Sequence, residues 1–249
     1  MMNSLVSEGE YLEDLQRNGL RIIQPRDGYR FTADSVILAH FAAEAQLSGT
    51  VVDLGTGSGI ILLLLSALCP QVKLVGVELQ EALAVRARRS VELNKLGFSI
   101  EVIHGDLREI SSYIKPDSVE TVVSNPPYIP LGKGAVNRSQ EIALAKQELT
   151  CTLEEVFKAA GRILKSRGRL FMVHKPARLT DICCFSRQYA MEPKGLRFVQ
   201  PSPDTAPSMI LVECRKNCSS GLKLFPPLVL TDAEGQPSAE IKDMYGAEK

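Results

Sequence analysis

From Thr50 onward, short apolar β-type runs alternate with helical patterns, and this alternation constrains the fold more than any other feature of the chain. The patterns predict strands over 50–54, 73–78, 99–104, 118–124, 168–174, 193–200 and 208–215. They predict helices over 57–68, 80–95, 148–166 and 177–190. Such alternation implies an α/β fold: a doubly wound, seven-stranded, mostly parallel sheet with helices on both faces. The early strands are apolar at consecutive positions, as strands covered on both faces are. The last two are joined by Pro201-Ser202-Pro203-Asp204-Thr205-Ala206-Pro207, too short for a crossover helix, so the last strand is expected to be antiparallel.

Two segments flank this 50–216 core, and the whole of 1–249 reads as a single domain. Residues 1–49 contain a helix starting at Thr32 or Ala33, with Val36, Ile37, Ala39, His40 and Phe41 facing inward. Thr32 suits its N-cap and Asp34 its first turn. Residues 217–249 hold an apolar run at 222–230, a turn at Glu234-Gly235 and a short helical tail.

Composition narrows the function classes. The chain has 249 residues, with 29 basic and 29 acidic side chains, so no overall positive charge advertises a nucleic-acid binder. A local basic face remains available from Arg21, Arg26, Arg30, Lys133, Arg138, Lys175, Arg178, Lys194 and Arg197. The cysteines form no C-x-x-C pair and no histidine lies at ligand spacing from them, so no metal is expected and the thiols read as reduced. The acidic N-terminus is not a signal peptide. The longest apolar run, 60–69, is about half of a membrane span. The expected location is the cytoplasm, and monomer and homodimer stay equally open.

The chemistry-bearing residues fall at strand ends. Asp53-Leu54-Gly55-Thr56-Gly57-Ser58-Gly59 follows the first core strand and opens a helix. Its glycines permit a tight turn and close approach of a ligand. The spacing is G-x-G-x-G rather than the dinucleotide G-x-G-x-x-G, and the lysine of a phosphate-binding loop is missing. Glu78 ends the second strand, where an acid reaches a ribose diol in doubly wound folds. Gly105-Asp106 ends the third. Both acids suit helix or turn caps equally well. Asn125-Pro126-Pro127-Tyr128 ends the fourth. The prolines lack N–H groups and hold the preceding residues extended, so the chain stops pairing there. Rigid acceptors at Asn125 and Pro126 suit a planar –NH2 group, and Tyr128 suits stacking on its ring.

These residues resemble the class I S-adenosylmethionine-dependent methyltransferases, and within them the Asn-Pro-Pro-Tyr enzymes that methylate planar amines. The chain is similar over nearly all of 18–246 to the small bacterial tRNA adenine-N6 methyltransferases that act in an anticodon loop. Tyr29-Arg30-Phe31-Thr32-Ala33-Asp34-Ser35-Val36-Ile37-Leu38-Ala39 resembles that group's stretch before the glycine loop. Ala145-Lys146-Gln147-Glu148 resembles its A-R-x-E, with Lys146 in place of arginine. Pro226-Pro227-Leu228 through Tyr245-Gly246 resembles its tail.

The resemblance implies a Rossmann-like fold, S-adenosylmethionine as cofactor, S-adenosylhomocysteine as product and tRNA as partner. It implies that Asp53, Gly55, Thr56, Gly57 and Gly59 hold the methionine portion, with Phe31, Thr32 and the helix they open lying over it. Glu78 would take the ribose hydroxyls, and Asp106 and Leu107 the adenine. Asn125 would border the cofactor and, with Pro126, grip the target amine. Pro127 and Tyr128 would contact the base, and Lys133 and Arg138 the RNA. Two acceptors holding both N–H bonds favour a more tetrahedral nitrogen, which is positioning plus electrostatic stabilisation without a covalent intermediate or strong base. Other acceptors stay open. Release-factor glutamine methyltransferases share the motif but carry a larger N-terminal domain than 1–49. Ribosomal RNA guanine-N2 methyltransferases are associated with a duplicated domain. A catalytically inactive relative is disfavoured by the intact motifs.

Overall fold

The computed structural model describes residues 5–27, 32–127 and 151–246. The sheet grows from the centre of the chain. β3 (Thr50–Leu54), β4 (Lys73–Glu78), β5 (Ile100–His104), β6 (Val119–Ser124) and β7 (Leu164–His174) are parallel. β9 (Met209–Lys216) inserts antiparallel between β7 and β8 (Met191–Gln200). The spatial order is β8-β9-β7-β6-β3-β4-β5. All seven expected strands are present, and the antiparallel strand is the expected last one.

The order places a switch point beside β3. The chain steps outward from β3 to β4 to β5, then returns to add β6 on the other side of β3. Connections on the two sides leave in opposite directions, which opens a crevice above the carboxyl ends of β3 and β6. Ser124 Oγ donates to Leu54 O at 2.9 Å and ties those two ends together.

Helices cover both faces. α1 (Ala33–Ala43), α2 (Ile60–Leu68) and α3 (Glu81–Leu93) pack on one face with Val51, Val123 and Phe171. α4 (Leu153–Ile163) and α5 (Leu179–Gln188) pack on the other with Val52, Leu54 and Val122. The alternation of Val51 with Val52, and of Val123 with Val122, explains the consecutive apolar residues: each strand feeds two cores. α2 is apolar all round and its first six residues are buried, as a helix enclosed by neighbours requires. α4 starts from a capping box between Thr152 and Glu155.

The flanking segments add elements the sequence pattern did not announce. β1 (Glu10–Asp14) and β2 (Arg21–Pro25) form an antiparallel hairpin docked on α3. Ile23 N–H donates to Ser90 Oγ at 3.1 Å, and Asn94 bonds both the N–H and the carbonyl of Arg21. Glu10 sits between Arg86 and Arg89, whose guanidiniums hold its carboxyl down at about 2, Arg89 contributing most. Beyond the core, β10 (Lys223–Leu224) and β11 (Leu228–Val229) both pair parallel with β8. The described sheet therefore has nine strands instead of seven. These two-residue strands are too short to show a period. α6 (Ala239–Met244) follows the expected turn and packs near α1. Arg17 donates to the carbonyls of Asp243 and Met244 at 2.8 and 3.0 Å, clasping hairpin to tail. Gly246, at φ +65°, leaves no room for a Cβ against Gln16 O.

Candidate functional site

The glycine loop lies at the carboxyl end of β3. Gly55, Gly57 and Gly59 have φ of +77°, +57° and +87°, left-handed values that favour glycine. Gly55 and Thr56 N–H both donate to Val77 O, at 2.9 and 3.1 Å, pinning the loop to β4. A Cβ at 59 would press on Ala87 of α3 at 3.3 Å. Gly76, missed in the sequence, also shapes the loop: a Cβ there would lie 2.7 Å from both Leu62 and Thr56 side chains.

Asp53 is fully buried beneath this loop. Its Oδ2 accepts from Thr56 Oγ1 at 2.6 Å, while Oδ1 is buried without a partner. Burial, reinforced by the nearby Glu78, pushes the carboxyl up to about 7 against the Thr56 hydrogen bond. Ser58 Oγ is likewise buried and unpartnered. Buried polar atoms left without partners at the mouth of a crevice fit a ligand that supplies them.

Glu78 ends β4, 5% exposed. Its Oε2 accepts from Gly57 N–H and its Oε1 from Gln80 N–H, each at 2.9 Å. Burial raises its pKa against these bonds. It thus supports both the loop and the start of α3, and a carboxylate's several lone-pair sites make this support compatible with a ligand contact. Asp106 caps the 3-10 turn Leu107–Ser112 through Arg108 N–H at 2.9 Å. The Arg108 guanidinium also grips both its oxygens and lowers its pKa. Arg108 therefore occupies the acceptor expected to take an adenine amino group. Its side chain is about half exposed, so exchange for a ligand costs little. Leu107 is buried.

Asn125 stands at the end of β6, beside the switch point. Its Nδ2 donates to Ser35 Oγ at 3.0 Å, and Ser35 is 3% exposed on α1. This bond fixes which way the amide points and joins α1 to the motif. Sequence reasoning missed Ser35 because a serine one position after Asp34 reads as part of a helix start. Pro126 is buried and Pro127 half-buried. Thr32 occupies the N-cap of α1 as expected, but its side chain makes no cap hydrogen bond. Phe31, Tyr128, Lys133, Arg138 and 145–148 lie outside the described residues.

Of the expected basic face, Arg30, Lys133 and Arg138 lie outside the described residues, and two of the described members are spent on ion pairs. Arg197 is buried and paired in a fork with Glu240, at 2.6 and 2.8 Å. Arg178 pairs with Asp181. Lys194 lines a cavity of about 290 Å3 with Arg167 and Arg215, at the amino ends of β7 and β8, the far end of the sheet from Asn125. Among the described residues no His, Cys, Asp and Glu group is placed to hold a metal ion, and no helix is long and apolar enough to cross a membrane.

Comparisons with known proteins agree with this geometry. A family described as methyltransferase small domain matches residues 32–180. A Porphyromonas gingivalis protein named tRNA1(Val) (adenine(37)-N6)-methyltransferase is 29% identical over 191 residues, covering 75% of this chain and 74% of that one. A Streptomyces pristinaespiralis 4-amino-L-phenylalanine/4-methylamino-L-phenylalanine methyltransferase is 30% identical, covering 53% of this chain and 46% of that one. Among solved structures, a predicted O-methyltransferase from Agrobacterium tumefaciens superposes with a TM-score of 0.68 at 20% identity, covering 87% and 98% of the two chains. At that identity the likeness speaks to the fold.

Proposed function

The chain belongs to the methyltransferase small domain family and is an S-adenosylmethionine-dependent methyltransferase, and from that premise we propose that it methylates the exocyclic N6 amine of an adenine in tRNA, within the anticodon loop. The observation that carries this reading is Asn125, set at the carboxyl end of β6 with its amide nitrogen committed to Ser35. The amide oxygen of an asparagine carries two lone pairs and can accept from an amine N–H. The relatives named as tRNA adenine-N6 methyltransferases support the same acceptor. Cytoplasmic location follows from that substrate.

When bound, the cofactor would supply an electrophilic methyl on a sulfonium, with the neutral thioether of S-adenosylhomocysteine as leaving group. The chain's own residues do the rest. The loop over Asp53–Gly59 receives the methionine portion, with the unpartnered Asp53 Oδ1 and Ser58 Oγ available as partners. Glu78, anchored by two backbone N–H groups, turns its remaining lone pairs to the ribose. Asp106 would exchange Arg108 for the adenine amino group, beside Leu107. An aromatic amine is a poor nucleophile because its lone pair is delocalised into the ring. The Asn125 oxygen and the Pro126 carbonyl would accept hydrogen bonds from its two N–H groups, which favours a lone pair aimed at the methyl, and the acidic N-methyl cation then releases one proton to water. The terms used are orientation and electrostatic preorganisation. An adenine must leave its stack to reach them, and a loop nucleotide does so at small cost.

A second reading is favoured by the Streptomyces relative: the arylamine of a free amino acid presents the same planar –NH2. Methyl transfer from labelled S-adenosylmethionine to bacterial tRNA, to 4-amino-L-phenylalanine and to a release factor, in parallel, separates the readings. Label in tRNA alone is the expected result; label in the amino acid or the release factor replaces the proposal.

A further inference from the structure

Gln24 on β2 is wholly buried, and neither its Oε1 nor its Nε2 has a hydrogen-bond partner. A buried amide with both ends unsatisfied is rare in folded proteins and calls for an explanation. The residue lies outside the 32–180 stretch matched by the family, so nothing assigns it a role.

Its position follows from the docking of the hairpin. Arg21 bonds Asn94 and Ile23 bonds Ser90. Two strand residues span about 6.6 Å and four helix residues about 6 Å, so β2 and α3 advance together in opposite directions. Glu10, the register partner of Pro25, bonds Arg86 and Arg89, which continues the same progression. Gln24 is therefore level with Ala87 and Arg88. Ala87 is the residue against which Gly59 packs. Gln24 also shares a strand face with Ile22, which lies in the core built by α1, α2 and α3. The strand level of Gln24 is thus that of the α3 turn that packs on Gly59, the residue that opens α2, and Ser58 Oγ and Asp53 Oδ1 of the same glycine loop are also buried without partners.

We propose that Gln24 is a cofactor-binding residue that takes the zwitterionic methionine end of S-adenosylmethionine. This rests on the methyl-donor reading of the glycine loop, and is independent of the tRNA reading. The chemistry matches in kind. The amide carries a donor for a carboxylate and an acceptor for an ammonium, while Asp53 and Ser58 offer further acceptors to the ammonium. A ligand bearing both charges satisfies all three side chains at once. The N-terminal hairpin then becomes a wall of the cofactor pocket as well as a brace for α3.

The test is calorimetric titration of the full chain with two ligands and no RNA. S-adenosylhomocysteine carries the amino-acid end; 5′-methylthioadenosine keeps the adenosine and the sulfur but lacks that end. Gln24→Met and Gln24→Leu should each raise the Kd for S-adenosylhomocysteine at least tenfold. They should leave the Kd for 5′-methylthioadenosine within twofold and the unbound Tm unchanged or higher. Equal weakening of both ligands, or an unchanged S-adenosylhomocysteine affinity, overturns the proposal. So does a large fall in unbound Tm for both variants, since it assigns the amide an internal partner. Wild-type protein that binds neither ligand would overturn the methyl-donor reading and this proposal with it.

Discussion

At the scale of single residues, the account turns on amides and carboxylates whose partners decide their roles. In the proposed reaction Asn125 acts as an acceptor, and Ser35 holds its nitrogen. Losing one neutral hydrogen bond costs about 1 kcal/mol, or roughly fivefold in rate. Ser35→Ala should lower kcat by about that factor with S-adenosylhomocysteine affinity unchanged, and Ser35→Thr should restore most of it. Equal loss in both variants would mark Ser35 as packing only. Asp53 makes a second prediction. Its carboxyl lies near 7 in the fold against an ordinary 3.8, so the folded state prefers the protonated form. That contribution is complete below about 4 and is lost as pH rises to about 7. The stability of the unbound wild type relative to Asp53→Asn should fall across that window, measured by urea unfolding at pH 5 and pH 8. A constant difference would mean that Asp53 is not buried as described.

At the scale of elements, much was legible because strands that feed two cores announce themselves by consecutive apolar residues. All seven core strands and the positions of the glycine loop, Glu78, Asp106 and Asn125 at strand ends followed from pattern alone. The hairpin did not. Glu10-Tyr11-Leu12-Glu13-Asp14 carries three acids, and the reason is visible only in space: Glu10 neutralises two arginines of α3. β10 and β11 were illegible because two residues carry no period. Gly76 was illegible because its constraint comes from Leu62 and Thr56, far off in sequence, rather than from its own φ. Gly76→Ala should therefore displace the glycine loop, destabilise the protein by about 1–3 kcal/mol and weaken S-adenosylhomocysteine binding, seen as a lower Tm and a higher Kd. Unchanged values would show that the loop yields without cost.

At the scale of the whole molecule, the crevice is assembled by segments far apart in the chain. The sheet brings the ends of β3, β4, β5 and β6 to one edge. α1 carries Ser35 to Asn125, and the hairpin docks on α3, whose Ala87 backs the glycine loop at Gly59. The tail is held by Arg17 and by the Arg197–Glu240 pair. A balanced net charge gave no hint of RNA, and at least nine of the described arginines and lysines are engaged in ion pairs. The most direct test of the central claim is nucleoside analysis of tRNA, from cells lacking this gene, after incubation with the protein and labelled S-adenosylmethionine. The account predicts label in N6-methyladenosine, lost in Asn125→Ala while that variant still binds S-adenosylhomocysteine. Label in another nucleoside, or none in tRNA from protein that binds the cofactor normally, would contradict it.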